Sequence, residues 1–184
     1  DFEALERAPA AWIGAGPKWA VLNQGGNRVL AKTLERVLFQ RAMTFIGPPG
    51  MSGVTVSADV MADGDRRGMG TVGVVNQRYI ITLKGNWQQL EVQSNHDRVK
   101  EAVPFSWKPG HWYRLKTRVD VADDGTGTIR ARVWPRGAPE PDRWDIEVHH
   151  ARAHRRGAPG IFGFAPQGKY RVYLDNVTVT KSTP

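Results

Sequence analysis

The chain has 184 residues, with 26 Lys and Arg against 18 Asp and Glu and a formal net charge of +8. This length predicts one domain over residues 1–184, with a hydrophobic core large enough to be stable without disulfides or bound metal ions. The absence of cysteine excludes disulfides, thiol catalysis and thiolate metal sites. No apolar run approaches the roughly 18–20 residues of a membrane span. The positive charge favours an acidic protein face, an anionic lipid surface or nucleic acid as a partner, or is simply a solvated surface.

Short strand-like segments run along the whole chain, separated by Gly, Pro, Asn and Asp. They cover residues 18–22, 28–32, 43–46, 53–61, 70–76, 78–84, 87–93, 98–103, 112–121, 128–134, 144–149, 160–165 and 170–180. This pattern predicts an all-β, two-sheet antiparallel β-sandwich. One segment, from Leu34 to Arg41, has helical spacing and predicts at most one short helix.

The hairpin from Trp112 to Trp134 has the clearest alternation. Its inward positions are Tyr113, Leu115, Thr117, Val119, Val121, Ile129, Ala131 and Val133. Its outward positions include Trp112, Arg114, Lys116, Arg118, Arg130, Arg132 and Trp134, which we predict to form a partner-binding surface. The alternative is that another strand or loop covers both tryptophans and that the arginine stems shield the sheet.

The ends and middle of the chain carry a family resemblance. The chain opens with Asp1-Phe2-Glu3 and closes with Asp175-Asn176-Val177-Thr178-Val179. Between them stand Asn76-Gln77-Arg78-Tyr79, Gly85-Asn86-Trp87, Val103-Pro104-Phe105-Ser106-Trp107 and Val133-Trp134-Pro135-Arg136-Gly137. In this order the segments resemble concanavalin A-like (laminin-G-like) jelly rolls, of the kind appended to bacterial PQQ-type β-propeller proteins.

The resemblance implies that the first and last strands lie side by side and that the protein is extracytoplasmic, either periplasmic or secreted. It implies no catalytic residue. Since the chain begins with Asp1 rather than Met, we also expect that a preceding segment has been removed.

The carboxylates do not form a pattern typical of a glycosidase. Hydrolysis of a glycosidic bond needs two flanking carboxyl groups, and no Glu-x-Asp-x-x-Glu segment occurs. Asp63 and Asp65 fall in a Gly-rich loop beside arginines, and Glu140, Asp142 and Asp145 fall in and beside a Pro-rich loop. Solvated ion pairs are the usual role of such acids.

Two groups of residues raise the question of a metal ion. His149, His150 and His154 form a cluster, but neighbouring arginines would repel a cation, so a basic loop is the favoured interpretation. The resemblance raises the hypothesis of a structural calcium ion with Glu3 and Asp175 as ligands. The alternative is that Asp175 caps a turn and Glu3 is exposed. We expect no other cofactor.

Seven tryptophans are many for this length. Trp19, Trp87 and Trp107 are expected to fill the core or cover its ends. The leading hypothesis for function is a non-catalytic interaction or scaffold module that docks through its basic surface on a larger protein or membrane-bound assembly, redox or photosynthetic complexes included. The alternatives are a carbohydrate-binding module and a glycoside hydrolase-like enzyme; nucleic acid is an unfavoured partner because no recognised motif is present.

Overall fold

The computed structural model describes residues 1–34, 41–65 and 68–182. Within them the chain forms thirteen strands and one 3-10 helix, Pro166–Gly168. The strands are β1 (Trp19–Gln24), β2 (Asn27–Lys32), β3 (Arg41–Phe45), β4 (Val54–Ala62), β5 (Thr71–Asn76), β6 (Tyr79–Lys84), β7 (Gln89–Ser94), β8 (Lys100–Pro104), β9 (Tyr113–Val121), β10 (Gly127–Pro135), β11 (Ile146–His150), β12 (Gly160–Phe164) and β13 (Val172–Lys181). The predicted two-sheet β-sandwich is confirmed. The predicted helix lies mostly on residues 35–40, outside the described residues.

The strands form two antiparallel sheets. The seven-stranded sheet has the order β1-β2-β13-β4-β9-β10-β11, and the six-stranded sheet has the order β3-β12-β5-β6-β7-β8. The expectation that the first and last strands are neighbours is wrong in detail, because β13 pairs with β2 and β4 while β1 pairs with β2. A register shift between Asp175 and Thr178 marks a bulge in β13, where Asn176 has a φ of 47°.

The hairpin of β9 and β10 follows the predicted alternation. Its register pairs Thr117 with Ala131 and Leu115 with Val133. The inward residues of the hairpin are buried, apart from the half-buried Val121 at its end. Period-two alternation places one side chain of each pair against the core and the next one outside, so the local pattern alone determines which face is buried.

The core lies between the two sheets and consists of aliphatic and aromatic side chains from almost every strand. Trp19 and Trp107 are both 2% exposed, which confirms their predicted place in the core. Trp87 is 69% exposed, so its predicted burial is wrong. It lies in the turn between β6 and β7 rather than on a strand, and the alternation that buries strand residues does not extend to it.

Each sheet also carries a smaller apolar cluster outside this core. The seven-stranded sheet holds Val29, Ala31, Met61 and Tyr173 on its outer face. The six-stranded sheet holds Val75, Ile80 and Phe162, with Met43, Phe45 and Phe164 packed beside them. The cluster members are buried and the three side chains packed beside the second cluster are half-buried, so neighbouring side chains cover much of the apolar surface on each outer face.

Candidate functional site

The structure brings the predicted cationic residues together on the outer face of the seven-stranded sheet, and carboxylates accompany them. Lys116 Nζ lies 2.8 Å from Glu140, which also pairs with Arg132. Arg118 and Arg130 share Asp120, at 2.7 and 2.6 Å. The cationic side chains of the hairpin face are therefore paired with neighbouring carboxylates.

Arg114 is held more deeply than the other cations of the hairpin. Its guanidinium donates to Asp59 Oδ1 at 3.1 Å, to the Ser57 hydroxyl at 2.8 Å and to the Asn176 carbonyl at 2.9 Å. Asp59 is only 4% exposed, and Arg136 Nε approaches its other oxygen at 3.2 Å. Two guanidinium groups thus share one buried carboxylate, an arrangement that holds β4, β9 and the bulge of β13 together.

The two tryptophans of the hairpin differ in exposure. Trp134 is buried, with 9% of its surface exposed. Trp112 is half-buried against the outer apolar cluster of this sheet, and Arg136 lies over its ring at 5.5 Å from the centroid. Neither indole presents a free face comparable to that of Trp87.

The predicted calcium ligands already have hydrogen-bond donors around them. Glu3 is exposed, and its Oε1 accepts from the Arg28 backbone N–H at 3.1 Å. Asp175 is 1% exposed and accepts from Asn27 Nδ2 and from the Asn176 backbone N–H. N–H donors do not ligate a cation, so the residues fit calcium poorly. Among the described residues no group of three or more His, Asp or Glu side chains could hold a metal ion. Calcium stays a prediction that titration can test.

The histidine cluster is built around Tyr79. The Tyr79 hydroxyl lies 2.7 Å from His150 Nδ1, and His154 Nε2 lies 2.9 Å from the Ser94 hydroxyl and 3.6 Å from Asp97. His149 points elsewhere, to Thr128. Burial lowers the pKa of His154 and raises the pKa of Tyr79. Both groups are therefore neutral at pH 7, and the cluster ties the loop after β11 to the six-stranded sheet.

The loop carboxylates have structural partners. Asp63 accepts from the Tyr173 hydroxyl at 2.7 Å. Burial, and after it this contact, raises the pKa of Tyr173. Asp65 accepts from the Tyr170 hydroxyl, and Asp145 accepts from the Val133 backbone N–H at 2.7 Å. Asp142 is exposed. Ion pairs and hydrogen bonds thus account for most of these acids.

A polar cavity of about 270 Å³ lies on the opposite side of the molecule, on the outer face of the six-stranded sheet. Strands β3, β5, β6, β7, β8 and β12 all contribute to its lining, which consists of Arg41, Thr71, Thr82, Lys84, Asn86, Trp87, Glu91, Gln93, Lys100, Phe162 and Phe164. The predicted site includes none of these residues. Every second residue of a strand shares a face, so Thr82 with Lys84 and Glu91 with Gln93 come to line one wall.

The wall of this polar cavity contains an ion pair with a buried carboxylate and a buried hydroxyl without a partner among the described residues. Lys84 Nζ lies 3.1 Å from Glu91 Oε2, and the Glu91 side chain is only 3% exposed. Thr82 is 1% exposed, and its hydroxyl has no hydrogen-bond partner among the described residues. Buried polar groups are normally hydrogen-bonded. The Thr82 hydroxyl is therefore an unsatisfied donor and acceptor in the wall of the cavity.

Trp87 forms the exposed rim of the polar cavity. Lys84 Nζ lies 5.7 Å from the centroid of its ring, in the range of a cation–π contact. The turn that contains Trp87 is held in place by the next residue. The Gln88 side chain donates to the Gly85 carbonyl and accepts from the Trp107 backbone N–H. The indole is therefore presented to solvent from an ordered turn.

Alternation along β6 and β7 was the signal that could have located this cavity. Ile80, Thr82 and Lys84 share one face of β6, and their partners in β7 are Gln93, Glu91 and Gln89. The sequence does not say, however, that Trp87 projects beside them, since it lies in a turn.

No protein-family model matches the chain, and no curated protein is significantly similar to it in sequence. Solved structures do match. The marine PL-14 alginate lyase from Aplysia kurodai superposes with a TM-score of 0.65 at 11% identity, over 90% of this chain and 87% of that one. The metal-free carbohydrate recognition domain of Emp46p superposes with a TM-score of 0.56 at 9% identity, over 95% of this chain and 90% of that one.

A third match is the bifunctional GH43-CE protein from Bacteroides eggerthii, with a TM-score of 0.60 at 14% identity. It covers 96% of this chain but only 26% of that protein, so the likeness is to one part of a larger molecule. At these identities the matches establish the fold: a jelly-roll β-sandwich, consistent with the concanavalin A-like resemblance.

Proposed function

We propose that this chain is a non-catalytic carbohydrate-binding module that binds a glycan on the outer face of its six-stranded sheet. The observation that carries this proposal is the exposed Trp87 at the rim of a polar cavity. The cavity also holds the ion pair of the half-buried Lys84 with the buried Glu91. This alternative replaces docking on an acidic partner as the preferred function.

The chemistry of a sugar matches this arrangement. A pyranose ring has an apolar C–H face and a rim of hydroxyl groups. An exposed indole from an ordered turn offers a flat apolar surface for the face. The ammonium of Lys84 and the amide of Gln93, both half-buried, and the amide of the exposed Asn86 offer hydrogen-bonding groups for the rim. Binding sites of this kind combine apolar walls with few, well-placed polar groups.

The charge around the polar cavity favours acidic sugars. Glu91 is neutralised by Lys84, whereas Arg41 and Lys100 line the same cavity, are exposed, and have no carboxylate partner among the described residues. An arginine guanidinium suits a sugar carboxylate because it donates two parallel hydrogen bonds. We therefore expect uronate-containing glycans to bind better than neutral ones.

Two features support the non-catalytic part of the proposal. Glu91 is the single carboxylate among the described residues that line the polar cavity, and it is paired. A retaining or inverting hydrolase needs two carboxyl groups on either side of the bond. An extracytoplasmic location accords with a glycan ligand and is also a proposal.

Docking of an acidic protein on the hairpin face has weaker support. The cations there are already engaged by Asp59, Asp120, Glu140 and Glu147. A partner would have to compete with these carboxylates, and exposed pairs contribute little free energy.

Affinity electrophoresis in gels that contain sodium alginate, polygalacturonate or laminarin tests the proposal. We expect retardation by the two acidic polymers, and loss of most of it in Trp87→Ala, because a large aromatic contact residue commonly accounts for about 2 kcal/mol of binding or more. Trp112→Ala, on the other sheet, is the matched control and should bind normally. Binding that survives Trp87→Ala but fails in Trp112→Ala would overturn the proposal.

A further inference from the structure

A second cavity, of about 350 Å³, lies on the same outer face of the six-stranded sheet and is apolar. Its walls come from Ile13, Met43, Phe45, Val75 and Ile80, and its polar lining residues are Arg78, Asn95 and His96. Apolar cavities of about 150 Å³ already bind benzene. This cavity therefore has room for an alkyl chain or an aryl ring.

The apolar cavity lies next to the polar one on the same strands. Ile80, in the apolar cavity, and Thr82, in the polar cavity, lie two residues apart on β6, a spacing of roughly 7 Å. Ile80 is also the cross-strand partner of Gln93, another residue of the polar cavity. Phe162 packs with Val75 and Ile80 and lines the polar cavity as well. One ligand of moderate size can therefore occupy both cavities.

Gly73 keeps the sheet surface between the two cavities free of a side chain. Gly73 pairs with Phe162 on one side and with Thr82 on the other, so no side chain separates the two. A Cβ atom there would collide with the Ile81 carbonyl oxygen. Only glycine fits at this close approach of two strands.

The rims point to a ligand with two kinds of surface. The large hydrophobic side chains that stand exposed in the described residues are Ile13, at 66%, and Trp87, at 69%. One borders the apolar cavity and the other the polar cavity. Ile13 is held in place, because its backbone N–H donates to the Phe45 carbonyl at 3.0 Å. Both exposed hydrophobic side chains thus frame a single sheet face.

From these observations we propose that the ligand is an amphiphilic glycoconjugate: an acidic sugar with an apolar alkyl, acyl or aryl substituent, whose apolar part occupies the cavity beside Ile13 and Met43. This inference rests on the proposed glycan binding and specifies the ligand class of the same face. The sugar lies against Trp87 and Gln93, and the substituent replaces water over the half-buried Met43 and Phe45. Burial of each methylene group gains roughly a fourfold increase in affinity.

Isothermal titration with methyl β-D-glucuronide and n-octyl β-D-glucuronide, the latter below its critical micelle concentration, tests this inference. We expect the octyl compound to bind at least about tenfold more tightly, even if its chain is only partly buried. Ile13→Gln and Met43→Gln should remove most of that advantage and leave methyl glucuronide binding within about twofold of wild type. Leu22→Gln, at a half-buried apolar position on the seven-stranded sheet, is the matched control and should change neither affinity.

Three results would overturn the inference. The first is equal affinity for the two glucuronides, or no binding of the octyl compound. The second is an octyl advantage that persists in Ile13→Gln and Met43→Gln. The third is n-octanoate binding as tightly as octyl glucuronide, because the sugar would then contribute nothing. Retardation by the acidic polysaccharides reports separately on glycan binding, so a failure of the amphiphile and a failure of the glycan site are distinguishable.

Discussion

The outer faces of the two sheets both carry cations, but only one face leaves them open. On the seven-stranded sheet, Asp59, Asp120, Glu140 and Glu147 engage the arginines and lysine of the hairpin. On the six-stranded sheet, Lys84 is paired, while Arg41 and Lys100 line the polar cavity without a carboxylate partner among the described residues. The outer face of the seven-stranded sheet has the more conspicuous run of cations, and on that face carboxylates of the protein already neutralise them. Local charge density is a poor guide to a binding surface when strands from elsewhere supply counter-charges.

The largest expected effect concerns Asp59, the buried carboxylate on the outer face of the seven-stranded sheet. Asp59→Ala removes the acceptor shared by Arg114 and Arg136, and we expect it to lower the free energy of unfolding by about 3 kcal/mol, because breaking a buried pair leaves its charges uncompensated. Urea unfolding measures the loss, and Asp142→Ala, at an exposed position, is the control. Glycan retention by the folded protein should be unchanged. A loss below about 1 kcal/mol would show that the arginines find other partners.

Gly73→Ala tests the open floor of the six-stranded sheet. The added Cβ would meet the Ile81 carbonyl and the Thr82 backbone at distances that real structures do not show. We expect a loss of about 2 kcal/mol in the free energy of unfolding, together with weaker glycan binding, since the β5–β6 ladder must shift beneath both cavities. Gly16→Ala is the control, because a Cβ there meets nothing within 4 Å. Unchanged stability in Gly73→Ala would contradict the close approach of the two strands.

Thr82→Val separates binding from stability on the same face. Removal of a buried hydroxyl without a partner should raise the free energy of unfolding by about 1 kcal/mol, while affinity for acidic glycans stays within about twofold of wild type, because the hydroxyl lies beneath the accessible surface. Thermal unfolding and affinity electrophoresis on the same preparation measure the two effects. Thr117→Val is the matched control, because the Thr117 hydroxyl donates to the Arg130 carbonyl at 2.8 Å and its removal should destabilise. If Thr82→Val also destabilises, the hydroxyl has a structural partner; if it abolishes glycan binding, the hydroxyl is accessible to the ligand after all.

The smallest effect is expected at the exposed ion pairs of the hairpin. Glu147→Gln breaks the contact with Arg130, whose guanidinium also reaches Asp120. We expect a change of about 0.5 kcal/mol or less, because exposed pairs are screened by solvent and salt. A double-mutant cycle with Arg130→Gln measures the coupling free energy. A coupling well above 1 kcal/mol would mean that this face is a strongly bonded network rather than a set of weak pairs.

Much of the fold could be predicted from particular residues. Leu115, Val119, Ile129 and Val133 alternate with charged neighbours, and this local pattern placed them in the core. The site could not be predicted in the same way. Trp87 lies in a turn, where alternation gives no information, and the sequence predicts it in the core or over one of its ends. Thr82 and Glu91 are ordinary strand residues until β6 and β7 place them against Phe162 from β12.

The order of the hydrophobic and turn residues determined the two-sheet sandwich and the inner face of each hairpin, because period-two alternation is a property of neighbours in the chain. The tertiary structure alone decided which outer face stays available. Arg114 finds Asp59 across 55 residues of sequence and Lys116 finds Glu140 across 24, whereas the cavities beside Trp87 and Ile13 remain open. Charge neutralisation depends on distances in space, and these appear only when the strands have assembled.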